Sequence, residues 1–152
     1  MTTRISAQQG IDAAVDVLQR APEAIDLFAL LRFVEASAPE RPRLGYSQTP
    51  RDDAVRLGQY PSSSFAPTAV VGIEPRGHRL TPLVRVLSLG LFGPNGPLPL
   101  HITEYVRDRI RNQNDPTLVA FADIFHHRAL SLFYRAWADA QPTVQMDRPG
   151  NN

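Results

Sequence analysis

Hydrophobic residues recur at helical spacing at both ends of the chain and lose that spacing in the middle. Residues 5–38 carry apolar stripes such as Ile11, Ala14, Val15 and Leu18, which predict helices. Residues 99–140 show the same spacing and predict two further helices, separated by a break at Asp115. Residues 141–152 are expected to form a loose tail.

Proline and glycine interrupt the pattern in the middle of the chain. Residues 39–99 hold ten of the fourteen prolines and seven of the nine glycines, so long helices are not expected there. Three runs, 54–59, 65–74 and 83–92, are strand candidates within a loop-rich segment, 39–98. The pattern predicts an α+β fold of one domain or part of one. It comprises N-terminal helices, a central Pro/Gly-rich segment with a small irregular β-sheet or ribbon, and two C-terminal helices.

The last predicted helix carries apolar residues on two sides. One stripe contains Leu118, Phe121, Phe125, Ala129, Leu132 and Ala136, and the other contains Ile124, His127, Leu130, Tyr134 and Trp137. A helix that is apolar on two sides is expected to be covered from two sides. Asp115 is the predicted N-cap of this helix, with Pro116 at its first position.

Composition removes several classes of chemistry. The chain has no cysteine, which excludes disulfides and thiolate sites, and its sixteen basic residues are all arginine, which excludes a Walker A lysine or a Schiff base. The net charge of +1 favours neither nucleic acid nor an anionic membrane. No run is long enough to cross a bilayer, and the N-terminus lacks an apolar signal core. We therefore expect a cytoplasmic protein without a cofactor.

The loop "LSLGLFGPNGPLPLH" (87–101) combines three glycines with three prolines. Its spacing is not that of a dinucleotide fingerprint. Glycine opens backbone conformations with positive φ and proline closes others, so the two together fix a loop shape. The loop is either a rigid connector or a preformed surface that presents Leu91, Phe92 and Leu98 to a partner.

Asp123, His126 and His127 are the main candidates for catalytic chemistry. A carboxylate three or four residues before a histidine can pair with it on a helix, which leaves a small cytoplasmic hydrolase as an alternative function. Adjacent helical residues point about 100° apart, so the two histidines do not face one metal ion. The structural interpretation places His127 in a helix interface, hydrogen-bonded, and His126 toward a loop or solvent.

Three long blocks of this sequence resemble a known family. "ALLRFVEASAPERPRLGYSQTPRDDAVRLGQYPSSSFAPTAV", "LGLFGPNGPLPLHITEYVRDR" and "DPTLVAFADIFHHRALSLFYRAWADAQP" are similar to the TssG (ImpH or VasB) family of the bacterial type VI secretion system. The blocks follow one another in order and together span about residues 26–142. Members of that family run to about twice this length, so the chain resembles their N-terminal half.

The resemblance implies a structural subunit rather than an enzyme. Family members belong to the cytoplasmic baseplate wedge of a contractile, phage-tail-like injection machine, docked at the inner membrane of a Gram-negative bacterium. The implied partners are TssF first, with TssE and TssK in the same assembly. An adaptor unrelated to secretion remains a further alternative. The candidate partner-binding residues are Phe92, Gly93, Pro94, Gly96 and Leu98 in the loop, and Phe125, Tyr134 and Trp137 on the last helix.

Overall fold

The computed structural model of the chain describes residues 7–20, 26–76 and 81–147. Within these residues the chain forms five helices and three strands. In chain order they are α1 (Ala7–Arg20), α2 (Leu27–Ser37), β1 (Arg56–Gln59), β2 (Val70–Glu74), β3 (Leu83–Val86), α3 (Leu100–Gln113), α4 (Thr117–Asp139) and α5 (Pro142–Asp147). This architecture confirms the predicted α+β class. The predicted helical positions 5, 6 and 21–25 lie outside the described residues.

Helix α2 begins at a side-chain cap. The carboxylate of Asp26 accepts hydrogen bonds from the backbone N–H groups of Phe28 and Ala29, at 3.0 and 3.1 Å. These N–H groups have no partner within the helix, so an Asp at this position stabilises its first turn. The buried face of α2 contains Leu27, Leu30, Leu31 and Val34, and these side chains form one wall of the main core.

The three strands form one mixed sheet in the order β1-β3-β2. β1 runs parallel to β3, with Arg56 opposite Leu83, and β2 runs antiparallel to β3 with an irregularity between Val70 and Gly72. The central strand β3 ends at Val86 rather than at residue 92, so the predicted strand was too long. The residues that follow form an irregular loop. Side chains, rather than a neighbouring strand, bond the backbone of this loop, as described below.

Helix α4 starts one residue later than predicted. Its first helical residue is Thr117, and Asp115 accepts hydrogen bonds from the Thr117 N–H and hydroxyl while it also pairs with Arg109. The Thr117 hydroxyl, the Arg109 guanidinium and the Thr117 N–H together lower the pKa of Asp115 to about 2. The preceding residue, Asn114, ends α3 with a left-handed backbone (φ 50°), a conformation that asparagine tolerates.

The predicted loose tail is wrong for residues 142–147, which form α5. Val144 is buried against the main core, and Arg32 of α2 bonds both carboxylate oxygens of Asp147. This hydrogen bond and the Arg32 charge lower the pKa of Asp147. An apolar anchor and an ion pair with α2 thus order a segment whose composition resembles a tail. Residues 148–152 lie outside the described part of the chain.

The buried apolar side chains form two clusters, which α4 joins through the C-terminal and N-terminal parts of its inner face. The main core lies between α2, the sheet, α4 and α5, and includes Leu31, Leu57, Val84, Leu130 and Tyr134. A smaller core lies between the 87–99 loop, α3 and α4, and consists of Phe92, Val106, Val119 and Ala122 with Leu91, Leu98 and Ile102 packed against it. Helix α4 therefore contributes to both cores and fixes their relative position.

Candidate partner-binding surface

The outward face of α4 is apolar and uncovered. We define the outer stripe as Leu118, Phe121, Phe125, Ala129, Leu132 and Ala136, all of which are exposed. Phe121 is 58% exposed and Phe125 is 56% exposed, and their rings meet edge to face with centroids 5.6 Å apart. The sequence predicted cover on two sides of this helix, but the residues that the structure describes cover only its inner side. Apolar patches of this kind mark interaction sites.

The inner face of α4 is polar as well as apolar. Asp123, His126, His127 and Ser131 are buried there between the two cores. Buried polar groups are tolerated only where they have hydrogen-bond partners. Three of these partners are backbone N–H groups, two in β1 and one in the 87–99 loop. Side chains of α4 therefore hold both of these segments against the helix.

His127 holds the start of β1. Its Nδ1 accepts the Leu57 N–H at 3.1 Å, and its Nε2–H donates to the Asp53 carboxylate at 2.9 Å. Asp53 also accepts a hydrogen bond from the Ser47 hydroxyl at 2.7 Å. The histidine is 3% exposed, which agrees with its expected place in a helix interface. This arrangement requires the neutral ring with its proton on Nε2.

His126 holds the start of the 87–99 loop. Its Nε2 accepts the Leu91 N–H at 3.0 Å, and its Nδ1–H donates to Asp123 at 2.9 Å. The sequence left two orientations open for His126, toward a loop or toward solvent, and the ring faces the loop. It is as buried as His127. Because both nitrogens of both histidines are engaged, neither ring presents a free nitrogen to a substrate. The structure brings Asp123 to His126 but not to His127, which pairs with Asp53 instead.

Asp123 links the sheet to α4. Its carboxylate accepts the Gln59 N–H at 3.0 Å and an Arg85 guanidinium N–H at 2.6 Å, in addition to the His126 ring. Arg85 continues to Glu74 at 3.2 Å. The helix approaches β1 so closely that a Cβ at Gly58 would lie 2.6 Å from an Asp123 oxygen. A glycine is therefore required at position 58 by close approach rather than by backbone conformation.

The Gly/Pro loop has a fixed shape. The Gln59 side chain accepts the Phe92 N–H and donates to the Phe92 carbonyl, both at 2.8 Å, as a neighbouring strand would. Gly93 has φ +91° and its N–H donates to the Thr103 hydroxyl at 2.9 Å. Gly96 does not have a positive φ, but a Cβ there would lie 2.5 Å from the Leu91 carbonyl oxygen. The loop is thus rigid, as both sequence interpretations required.

The loop candidates differ in how far they reach the surface. Phe92 is 3% exposed and packs edge to face against His126, with centroids 5.7 Å apart, so it supports the surface from behind. Gly93 is buried, while Pro94, Gly96 and Leu98 are half-buried. Leu98 packs on the smaller core. Among the candidates, only Pro94, Gly96 and Leu98 therefore reach the surface, and each does so in part.

The helix candidates differ in the same way. Tyr134 is 1% exposed, and its hydroxyl donates to Glu35 at 3.0 Å; burial and the Glu35 carboxylate raise its pKa. Glu35 also accepts the Leu44 N–H at 2.9 Å. Trp137 is half-buried, stacks on Phe28 with centroids 4.9 Å apart, and borders a groove of about 480 Å³ between α2 and α4. Of the three, Phe125 alone is largely exposed.

Sequence reasoning missed the most exposed part of the surface. Phe121 and Leu132 were assigned to the stripe but were not chosen as candidates, although they share it with Phe125. Phe121 lies four residues before Phe125 and Leu132 lies seven after it, and this spacing alone indicates that all three share one face of the helix. Gln59, which holds the 87–99 loop, carries no sequence signal, because its partner is the backbone of Phe92, 33 residues away in the chain.

The described residues form neither a metal site nor a membrane-spanning helix. No group of three or more His, Asp or Glu side chains in this part of the chain is placed to hold a metal ion. Among the helices of the described ranges, none combines the length and apolarity needed to cross a bilayer.

Comparison with known proteins identifies the family. A family model described as "Type VI secretion, TssG" matches residues 21–152, which is most of the chain. No curated protein and no solved structure matches the chain significantly. The match covers both cores, the 87–99 loop and the whole outer stripe. The chain therefore belongs to the TssG family of type VI secretion proteins.

Proposed function

We propose that this chain is a structural subunit of the type VI secretion baseplate and that it binds a TssF-like subunit through the outer stripe of α4. TssE and TssK belong to the same proposed assembly, which docks on the cytoplasmic side of the inner membrane. Neither nucleic acid nor membrane insertion is part of the proposal. The family match supports the general role. The observation that carries the binding surface is the exposed, apolar outer stripe.

The size of the stripe suits a protein partner. It extends over nineteen residues from Leu118 to Ala136, or about 27 Å at the rise of an α-helix. Specific interfaces bury about 800 Å² on each partner, and an apolar helix face of this length with its flanks supplies an area of that order. Ile124 and Phe133 extend the apolar surface on its two flanks. Aromatic residues at the centre of such a patch are typical energetic hot spots.

The structural role accounts for the histidines better than hydrolysis does. A general base needs a ring nitrogen within reach of a substrate proton. In His126 and His127 all four ring nitrogens are hydrogen-bonded inside the fold, to Leu91, Asp123, Leu57 and Asp53. Both histidines thus shape the chain beneath the partner-binding surface.

Co-expression with a TssF-like protein from the same genome tests the proposal. We expect the wild-type chain to capture this partner, and the Phe121→Ser/Phe125→Ser variant to bind it at least about tenfold more weakly, because two central aromatic anchors are lost. Phe65→Ser is the matched control, since Phe65 is 78% exposed but lies in the β1–β2 connection. Circular dichroism checks that each variant is folded.

Two results would count against the proposal. If the folded wild-type chain captures no TssF-like protein, this chain does not bind that partner. If the double variant binds as strongly as the Phe65→Ser control, the outer stripe is not the interface.

A further inference from the structure

A cavity of about 440 Å³ opens beside the outer stripe, between α4 and the loop of residues 45–53. We call it the Arg128 pocket. Its walls include Tyr46, Gln48, Ile124, Arg128 and Arg135. Ile124, which is exposed, lies in the wall and follows Phe121 by three residues, so the two side chains are neighbours on the helix surface. The pocket is therefore continuous with the proposed partner-binding surface.

The charge exposed around the pocket is positive. Between residues 117 and 138 of α4, the charged side chains at the surface are Arg128 and Arg135, since Asp123 is buried. They lie seven residues apart on one side of the helix, and both line the cavity. Asp139, one turn beyond Arg135, pairs with that arginine and accepts hydrogen bonds from the Tyr46 hydroxyl, so Arg128 is the guanidinium of this surface that has no acid beside it on the helix.

Arg128 is available and Arg135 is fixed. Arg128 is exposed and makes no hydrogen bond or ion pair with the residues that the structure describes. The Arg135 guanidinium lies over the Tyr46 ring, 3.9 Å from its centroid, and donates to the Gly45 carbonyl at 3.3 Å. Asp139 is 3.7 Å from Arg135, a long ion pair at the exposed end of the helix. Stacking on the tyrosine holds the second guanidinium beside the cavity.

The one carboxylate in the pocket is already satisfied. Asp53 accepts hydrogen bonds from the Ser47 hydroxyl and the His127 Nε2–H, at 2.7 and 2.9 Å. Burial lowers the pKa of the nearby Arg56, and the Asp53 charge opposes part of this lowering. The hydrogen-bonding capacity left to a ligand is therefore mainly that of guanidinium donors.

We propose that the Arg128 pocket binds an aspartate or glutamate side chain of a partner protein, next to apolar partner residues that lie on the outer stripe. Guanidinium donors match carboxylates in geometry and charge, and Ile124 provides an apolar wall beside them. The cavity is larger than one carboxylate and has room for a short peptide segment. The identity of the partner rests on the proposed function, whereas carboxylate binding by the pocket does not.

Nuclear magnetic resonance of the isotopically labelled chain tests carboxylate binding directly. The probe is a capped tetraglutamate peptide, and its tetraglutamine counterpart is the control ligand. We expect saturable shifts at the Ser47 and Gln48 amides and at the Arg128 Nε–H with tetraglutamate. Arg128→Gln should weaken this binding about tenfold, as expected for the loss of a charge-assisted hydrogen bond. Arg111→Gln, an exposed arginine of α3, should leave it unchanged.

The outcomes separate this inference from the proposed function. The inference that the pocket binds carboxylates would be overturned by any of three results. These are no shifts with tetraglutamate, equal shifts with tetraglutamine, or shifts that Arg128→Gln does not change. In capture assays with the TssF-like protein, Arg128→Glu should reduce binding at least as much as Arg128→Gln, and wild-type binding by Arg128→Glu would overturn the role in partner recognition. If the chain binds tetraglutamate but captures no TssF-like protein, the pocket inference stands and only the proposed partner is refuted.

Discussion

Replacing Asp123 with alanine should destabilise the fold strongly. Three donors converge on its carboxylate: the Gln59 N–H at 3.0 Å, Arg85 at 2.6 Å and the His126 ring at 2.9 Å. Removing one partner of a buried charge pair costs about 3–5 kcal/mol. The Arg85 side chain is 16% exposed and can recover some hydration when Asp123 is removed. We therefore expect the free energy of unfolding to fall by about 3 kcal/mol. This is a large part of the total of about 5–15 kcal/mol for a native domain.

Urea unfolding followed by the fluorescence of Trp137 measures this loss. The tryptophan is the only one in the chain and stacks on Phe28 in the main core, so its emission reports unfolding. The transition midpoint should fall while its slope stays constant. Asp108→Ala, on the exposed face of α3, is the control and should change the free energy of unfolding by less than about 0.5 kcal/mol.

A double-mutant cycle with Arg85→Met isolates the ion pair. We expect a coupling free energy of at least about 1 kcal/mol between positions 85 and 123, because the two side chains are in direct contact and little exposed. A loss below about 1 kcal/mol for Asp123→Ala, or a coupling free energy near zero, would refute the view that this carboxylate holds the sheet to α4.

Two further predictions concern the helix cap and the loop. The pKa of Asp115 is lowered to about 2, so its contribution to stability is present above the unfolded-state value near 4 and is lost as the pH falls through about 2. A carboxyl titration by nuclear magnetic resonance should show this low midpoint, and Thr117→Ala should raise it; an unchanged midpoint would contradict the assignment of the Thr117 hydroxyl as the main cause. Gly93→Ala should destabilise the fold by about 1–2 kcal/mol, because its φ of +91° disfavours a side chain and a Cβ would lie 2.8 Å from the Ser62 carbonyl oxygen. Gly72→Ala, where nothing lies within 4 Å, should change it by less than about 0.5 kcal/mol, and equal denaturation midpoints for the two variants would show that the loop conformation is not constrained at Gly93.

Apolar spacing predicted α2, α3 and α4 because each of them has one face against a core. The stripe that includes Leu130 and Tyr134 was predicted as a unit, and both residues are buried. The same spacing could not tell which stripe of α4 faces inward, because both are apolar. The buried face is distinguished by its polar residues, His127 from the stripe and Asp123 beside it, whose backbone partners lie 70 and 64 residues away in the chain.

The ends of the irregular elements could not be predicted from local sequence. The third strand was expected to reach residue 92, but the Gln59 side chain binds the backbone of Phe92 and ends the strand pairing near Val86. Helix α5 was expected to be a loose tail because its stability depends on Arg32, which is 115 residues away from Asp147. In both places a distant side chain determines the local backbone, and local propensity contains no such information.

The inner contacts of α4 have a consequence for recognition on its outer face. Backbone N–H groups of β1 and the 87–99 loop are bonded to His127, Asp123 and His126 within the chain itself. A ligand that meets the opposite side of this helix thus encounters a surface already held in one geometry. Association then requires little additional ordering of this chain, and more of the contact free energy remains as affinity.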